Sequence, residues 1–310
     1  MNTKRIIASC ALAVTLVVAA IALLFLRRVT PQKTQTITSP TAYVFAPTQA
    51  TSAGITVATE SFVPWDMVKR ALAGVTVSAP CKAYRAGIVN HHALASDLLA
   101  KSAKTLEACR PDLETLVIIS PDHFYRGTQA LTTAIATYRT DSLTVKTDAV
   151  LQQELLEAVP TMGQQPDVFK KEHGIAALVP FYAHEFNDLK IVPITVKGHV
   201  SEAEAKSLTD WLEKTLKRPK TFVLISADMS HYLSKEQALA NDEKTLRALG
   251  QNDAAFFADA SDDFTDSGVQ IALILKALGR TTWHTVDHKI STDYTNDRSN
   301  TTSYIMGFWE

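Results

Sequence analysis

Short apolar runs that stop abruptly at polar residues recur along the chain. The clearest are AGIV at Ala86–Val89, LVII at Leu116–Ile119, LKIVPITV at Leu189–Val196 and TFVLIS at Thr221–Ser226. Between them lie stretches with apolar positions at helical spacing, predicting helices over His92–Ala108, Asp148–Val159, Ser201–Leu216, Lys235–Leu249 and Ser267–Leu278. Ser201 and Glu204 at the start of one of them fit a capping box. Two last strands are expected at Thr282–Val286 and Ser303–Phe308. Near-continuous apolar strands alternating with amphipathic helices predict an α/β fold of three layers, a mostly parallel sheet with helices on both faces. In such sheets ligands sit beyond the carboxyl ends of the strands.

The first part of the 310-residue chain reads differently. Ile6 to Leu26 contains no charged residue and is followed by Arg27 and Arg28. A run of about 20 apolar residues suffices to span a bilayer as a helix. Residues 1–28 are therefore expected to be an uncleaved N-terminal transmembrane anchor. Charges on both flanks give a slight preference for a cytoplasmic N-terminus, hence a single-pass membrane protein with its main domain outside the cytoplasm. Residues 29–61, rich in Thr, Ser, Pro, Gln and Ala, suit a flexible tether. Residues 62–310 then form one α/β domain. Cys81 and Cys109 lie outside the anchor; they form no disulfide framework, but an oxidising compartment permits them to pair. A net charge of −1 gives no sign of nucleic-acid binding.

Three of the apolar runs end alike. AGIV leads into Asn90-His91-His92, LVIIS into Pro121-Asp122-His123, and TFVLIS into Ala227-Asp228-Met229-Ser230-His231. A single histidine after a strand is usually a cap or a loop residue. Three among the nine histidines of the chain are not expected from random placement. If the strands are parallel neighbours, their ends meet at one edge of the sheet. Neutral imidazole is the commonest protein metal ligand, and a carboxylate beside two imidazoles leaves coordination positions open. Glu172 and His173, ahead of a helix start, read as groups supporting such a site or as helix caps. Asp266 reads equally as the N-cap of the late helix.

The order NHHAL, SPDHFYRG, KEHGIAALVPF, SADMSH, the turn before IALILKALG, and TTSYIMGF resembles the Memo family, the AmmeMemoRadiSam system protein B type, over about residues 84 to 309. That family is similar in fold to the class III extradiol ring-cleavage dioxygenases, which use non-haem iron. The resemblance implies His91, His123 and Asp266 as metal ligands and His231 with Asp228 as an acid/base pair. Many members carry cysteine where this chain has Asp266. Two histidines and a carboxylate favour Fe(II), with copper or zinc as alternatives. The implied function is a dioxygenase-like oxidoreductase with an unidentified small-molecule substrate. A non-catalytic module that handles metal or a protein partner is the alternative, and a zinc hydrolase a weaker one. A functional link to a radical-SAM enzyme is a further implication of the resemblance.

Overall fold

The computed structural model describes residues 54–77 and 81–310. Eleven strands form one sheet: β1 (Ile55–Ala58), β2 (Ala86–Val89), β3 (Thr115–Pro121), β4 (Leu131–Thr133), β5 (Ala136–Arg139), β6 (Thr144–Thr147), β7 (Gly163–Gln164), β8 (Lys190–Val196), β9 (Thr221–Ser226), β10 (Trp283–Ile290) and β11 (Ser303–Trp309). The main path runs β1-β5-β6-β8-β3-β9-β2-β11-β10, with β4 joined to β7 and β8.

Alternation along the central strands explains why they read as unbroken apolar runs. Leu116 and Ile118 of β3 enter one core and Val117 and Ile119 the other. In β9, Phe222 and Leu224 face the first core and Val223 and Ile225 the second. Because successive side chains point to opposite faces, a strand covered on both sides has no wet position left. Helices Trp65–Gly74, Ser96–Cys109 and Val179–Glu185 cover the first face with residues such as Leu72, Leu106 and Phe181. Helices Ala149–Ala158, Glu202–Thr215 and Gly268–Leu278 cover the second with Leu155, Leu212 and Ile274. The Ser201 capping box is formed, with the Ser201 side chain accepting from the Glu204 amide and Glu204 from the Ser201 amide.

The expected fold is corrected in two respects. The sheet is mixed, with four antiparallel pairings beside six parallel ones. A parallel centre, β6-β8-β3-β9-β2, is flanked by antiparallel pairings of β2 with β11, β11 with β10, β5 with β6 and β4 with β8. The last two strands pair antiparallel across the link 291–302, which contains no α-helix to carry the chain back over the sheet. Secondly, the transmembrane helix, and the membrane localisation that rested on it, give way to a different finding. Among the described residues no helix is long and apolar enough to cross a membrane. The stretch Ile6 to Leu26, on which the anchor was read, lies outside the described residues. Ile55–Ala58, inside the stretch read as a tether, is a strand paired in parallel with β5.

Cys81 and Cys109 form a disulfide, fastening the segment before β2 to the end of helix Ser96–Cys109.

Candidate metal centre

Register brings the strand ends together. β3, β9 and β2 are consecutive parallel neighbours, with Val89 opposite Ser226 and Ile119 opposite Ile225. His91 and Asp228 therefore each lie two residues beyond a matched pair, and the His91 amide donates to Asp228 Oδ1 at 3.1 Å. His123 follows the longer β3 and reaches the same place from the other side of β9.

Both central imidazoles are held by their Nδ1 atoms. His91 Nδ1 lies 2.9 Å from Ser226 Oγ, and that hydroxyl gives its own proton to the Gly174 carbonyl. Ser226 must therefore accept, His91 carries its proton on Nδ1, and its Nε2 presents a lone pair. His123 Nδ1 lies 2.6 Å from Glu172 Oε1, and the same carboxylate accepts from the amides of His123 and Gly174. Glu172 is almost fully buried and caps helix His173–Ala176. His123 Nε2 is left free in the same way. The approach is close at Gly174, where a Cβ would sit 2.1 Å from Ser120 Oγ and 3.1 Å from His123 Cε1.

The two free Nε2 atoms face each other at 3.1 Å. Asp266 Oδ2 lies 3.2 Å from His91 Nε2 and 3.5 Å from His123 Nε2. Asp266 Oδ1 accepts from the Asp228 amide and the Ser267 hydroxyl, whereas Oδ2 is buried with no hydrogen-bond partner. Three acceptor atoms thus converge, an arrangement unfavourable without a cation between them. Bonds of about 2.1 Å from one ion to three adjacent ligands place those ligands about 3.0 to 3.4 Å apart. The observed spacings of 3.1, 3.2 and 3.5 Å fit such an ion.

Protons substitute for a metal in the electrostatics of the bare chain. Burial opposes a charge on His91, but Asp228 and Asp266 outweigh it and raise its pKa. Burial likewise opposes a charge on His123, yet the adjacent carboxylates of Asp266 and Glu172 push its pKa up to about 10. Asp266 is itself held far below the usual carboxylate range, its burial overcome by His91, His123 and His231.

His173 joins the cluster. Its ring lies against His123 with centroids 4.0 Å apart and planes tilted by 35°, and meets the His91 ring edge-on at 5.2 Å. Burial, and then the neighbouring His123 and His91, pull its pKa down to about 4. His91, His123 and His173 have ring nitrogens close enough to hold one metal ion.

His231 stands on the far side of Asp266, with Nε2 3.8 Å from Asp266 Oδ2 and a buried Nδ1 that has no partner. The expected pairing of His231 with Asp228 is not formed. Asp228 turns towards β2, where the His91 amide takes its Oδ1 and its Oδ2 lies 3.8 Å from His91 Nε2. The sequence showed Asp228 and His231 three residues apart but could not show which way the carboxylate turns. His173 was read only as a supporting residue, because its place against His123 depends on a packing contact between separate loops.

A cleft of about 760 Å³ opens onto the cluster and is lined by His91, His123, His173 and His231, with Tyr232 and Phe62 among its apolar surfaces. A smaller cavity of about 280 Å³, lined by Tyr125 and Gln270, touches His123 and Asp266 from another side.

Comparisons with known proteins agree with this architecture. The family model described as Memo-like protein matches residues 69–308. A MEMO1 family protein of Aquifex aeolicus is 28% identical over 201 residues, covering 62% of this chain and 74% of that one. One from Archaeoglobus fulgidus is 32% identical over 155 residues, 48% of this chain and 56% of its own. Among solved structures, an uncharacterized protein of Escherichia coli K12 superposes with a TM-score of 0.50 at 13% identity, covering 71% of this chain and 98% of that one, which speaks to the fold alone. With the family model spanning residues 69–308 and the strand-end histidines gathered at one edge of the sheet, the chain belongs to the Memo-like protein family.

Proposed function

We propose that His91, His123 and Asp266 hold one divalent ion, Fe(II) in preference, in a dioxygenase-like oxidoreductase acting on a small molecule in the adjoining cleft. The observation that supports this most is the buried, partnerless Oδ2 of Asp266, set within 3.5 Å of two imidazole lone pairs. Two histidines and one carboxylate on one side of an ion leave its other positions to ligands from the cleft. A redox-active ion there supplies Lewis acidity and electron transfer.

The chain's own residues do the rest. Ser226 and Glu172 fix the two imidazoles by their Nδ1–H groups, so that only Nε2 is offered. His231, which lines the cleft beside Asp266, is the group we assign to move a proton at a substrate oxygen. Asp228 supports His91 and adds a second negative charge beside it. Anaerobic purification followed by metal analysis tests the reading. Near-stoichiometric iron in the wild type, lost in the His91→Ala/His123→Ala double variant, is expected. Equal metal in both sinks it.

A second reading has a specific observation behind it, the third imidazole. Ligation by His91, His123 and His173 would suit zinc or copper in a module that binds metal without turnover. Asp266 has the shorter contacts, its Oδ2 lying 3.2 and 3.5 Å from the two imidazole nitrogens, whereas the ring nitrogens of the three histidines lie within 4.8 Å of one another. Comparing Asp266→Ala with His173→Ala separates the two: the first loses metal in the first reading, the second in the other.

A further inference from the structure

The cleft has a one-sided charge. Its lining contains Asp228, Asp262, Asp263 and Asp266 and no lysine or arginine. Asp228 and Asp266 stand 3.8 and 3.2 Å from His91 Nε2, where their two charges match one divalent ion. Asp262 and Asp263 are then left over, both exposed at the cleft and with no side-chain hydrogen bond or ion pair among the described residues. Lys244, the ammonium of which lies over the Phe264 ring 5.5 Å from the centroid, forms no ion pair with either of them.

Beside this acidic mouth stands an aromatic surface that folding alone does not account for. Tyr232 directly follows His231, is 76% exposed, and has a left-handed backbone with φ 55°. A bulky residue in that region is strained and is retained where the strain serves a purpose. Tyr232 lines the cleft together with Phe62 and Leu233. An exposed ring beside uncompensated carboxylates is a setting that attracts organic cations.

We infer that the cleft selects small aromatic molecules bearing a positive charge, of the arylalkylamine class, over their carboxylate counterparts. The ring packs against Tyr232 and the ammonium meets Asp262 and Asp263. A carboxylate or phosphate in the same position meets the like charge of Asp262 and Asp263 and finds no lysine or arginine in the lining. The inference rests on the proposed metal centre for where a ligand's oxygens anchor, while the preference for positive charge comes from the lining alone.

Two catechols with opposite tails give the test: 2-(3,4-dihydroxyphenyl)ethylamine and (3,4-dihydroxyphenyl)acetate. Both offer the same diol to the ion and differ only in charge. Titration calorimetry on the metal-loaded full chain is expected to show the amine binding at least about tenfold tighter. Asp262→Asn/Asp263→Asn should bring the two within about threefold of each other without changing metal content. Equal binding, tighter binding of the acid, or an unchanged ratio in the double variant overturns the inference. So does binding of neither catechol by a chain that holds its metal, an outcome that leaves the metal centre standing. Phenylethylammonium and phenylacetate, lacking the diol, are titrated into the metal-free chain with Tyr232 fluorescence or NMR shifts as readout. The same order is expected there, so loss of metal and loss of charge selectivity are read separately, and the reverse order or no binding counts against the inference.

Discussion

Asp266 carries more of the chemistry than any other single residue here. One of its carboxylate oxygens is satisfied by the Asp228 amide and the Ser267 hydroxyl, and the other faces two imidazole nitrogens with no donor of its own. Asp266→Asn keeps the shape and removes the anionic ligand. Metal affinity is expected to fall by at least about 100-fold, while Glu172→Gln, which only loosens the hold on His123, should cost about 10- to 100-fold. Competition with a chromophoric chelator measures both. His173 behaves differently, since burial and the neighbouring His123 and His91 outweigh the carboxylates of Glu172 and Asp266. With its pKa pulled from 6.5 down to about 4, the unfolded chain takes up a proton in that window and the folded, metal-free chain does not. Stability therefore falls as pH is lowered from 6.5 towards 4. Its side chain is 37% exposed, so solvent screening leaves an effect of about 1 kcal/mol. Urea melts of the metal-free chain at pH 6.5 and 4.5 should show a smaller loss for His173→Gln than for wild type; equal losses refute the assignment.

The loop that caps helix His173–Ala176 is the element joining site to scaffold. Glu172 caps that helix and fixes His123, while the Gly174 carbonyl accepts from the Ser226 hydroxyl that orients His91. Gly174→Ala drives a methyl group onto Ser120 Oγ, 2.1 Å away. The expected result is a loss of about 1–3 kcal/mol in stability, as for overpacked cores, together with weakened metal binding. Ser201→Ala, which removes the cap of a helix remote from the site, should cost about 1 kcal/mol and leave metal binding alone. If both variants change metal affinity alike, the loop has no special role.

The same element scale shows what the sequence revealed. AGIV and TFVLIS match β2 and β9 at both ends, because a strand buried on both faces is apolar throughout and ends where polar residues begin. Ser201 and Glu204 announced their helix through side-chain chemistry confined to one turn. The short strands β4 and β7 carried no period long enough to detect. Strand direction was equally hidden, since apolar spacing is the same in parallel and antiparallel pairs, and so the antiparallel flanks of the sheet went unread. At the site, strand ends exposed His91 and His123, but the rotation of Asp228 towards β2 and the packing of His173 against His123 arise from contacts between segments far apart in the chain.

For the whole molecule, the proposed ion would link the ends of β2 and β3 with the turn before helix Gly268–Leu278. Its ligands come from positions 91, 123 and 266, so binding there joins segments that the unfolded chain keeps far apart. An ion bound only by the folded form at about 100 times its Kd adds about 2.7 kcal/mol. In a domain of this size that corresponds to roughly 5–10 °C in Tm. Chelation of the loaded protein should lower Tm by that amount, and re-addition of Fe(II) under anaerobic conditions should restore it. The His91→Ala/His123→Ala double variant should melt at the same temperature with and without chelator. His231→Ala should keep the full metal-dependent shift, because His231 faces the cleft and contributes nothing to the triangle of ligand atoms. A wild-type Tm insensitive to chelator would mean that the converging groups are held together by their own protons and not by a metal, and a His231→Ala variant that alone has lost the shift would put His231 among the ligands.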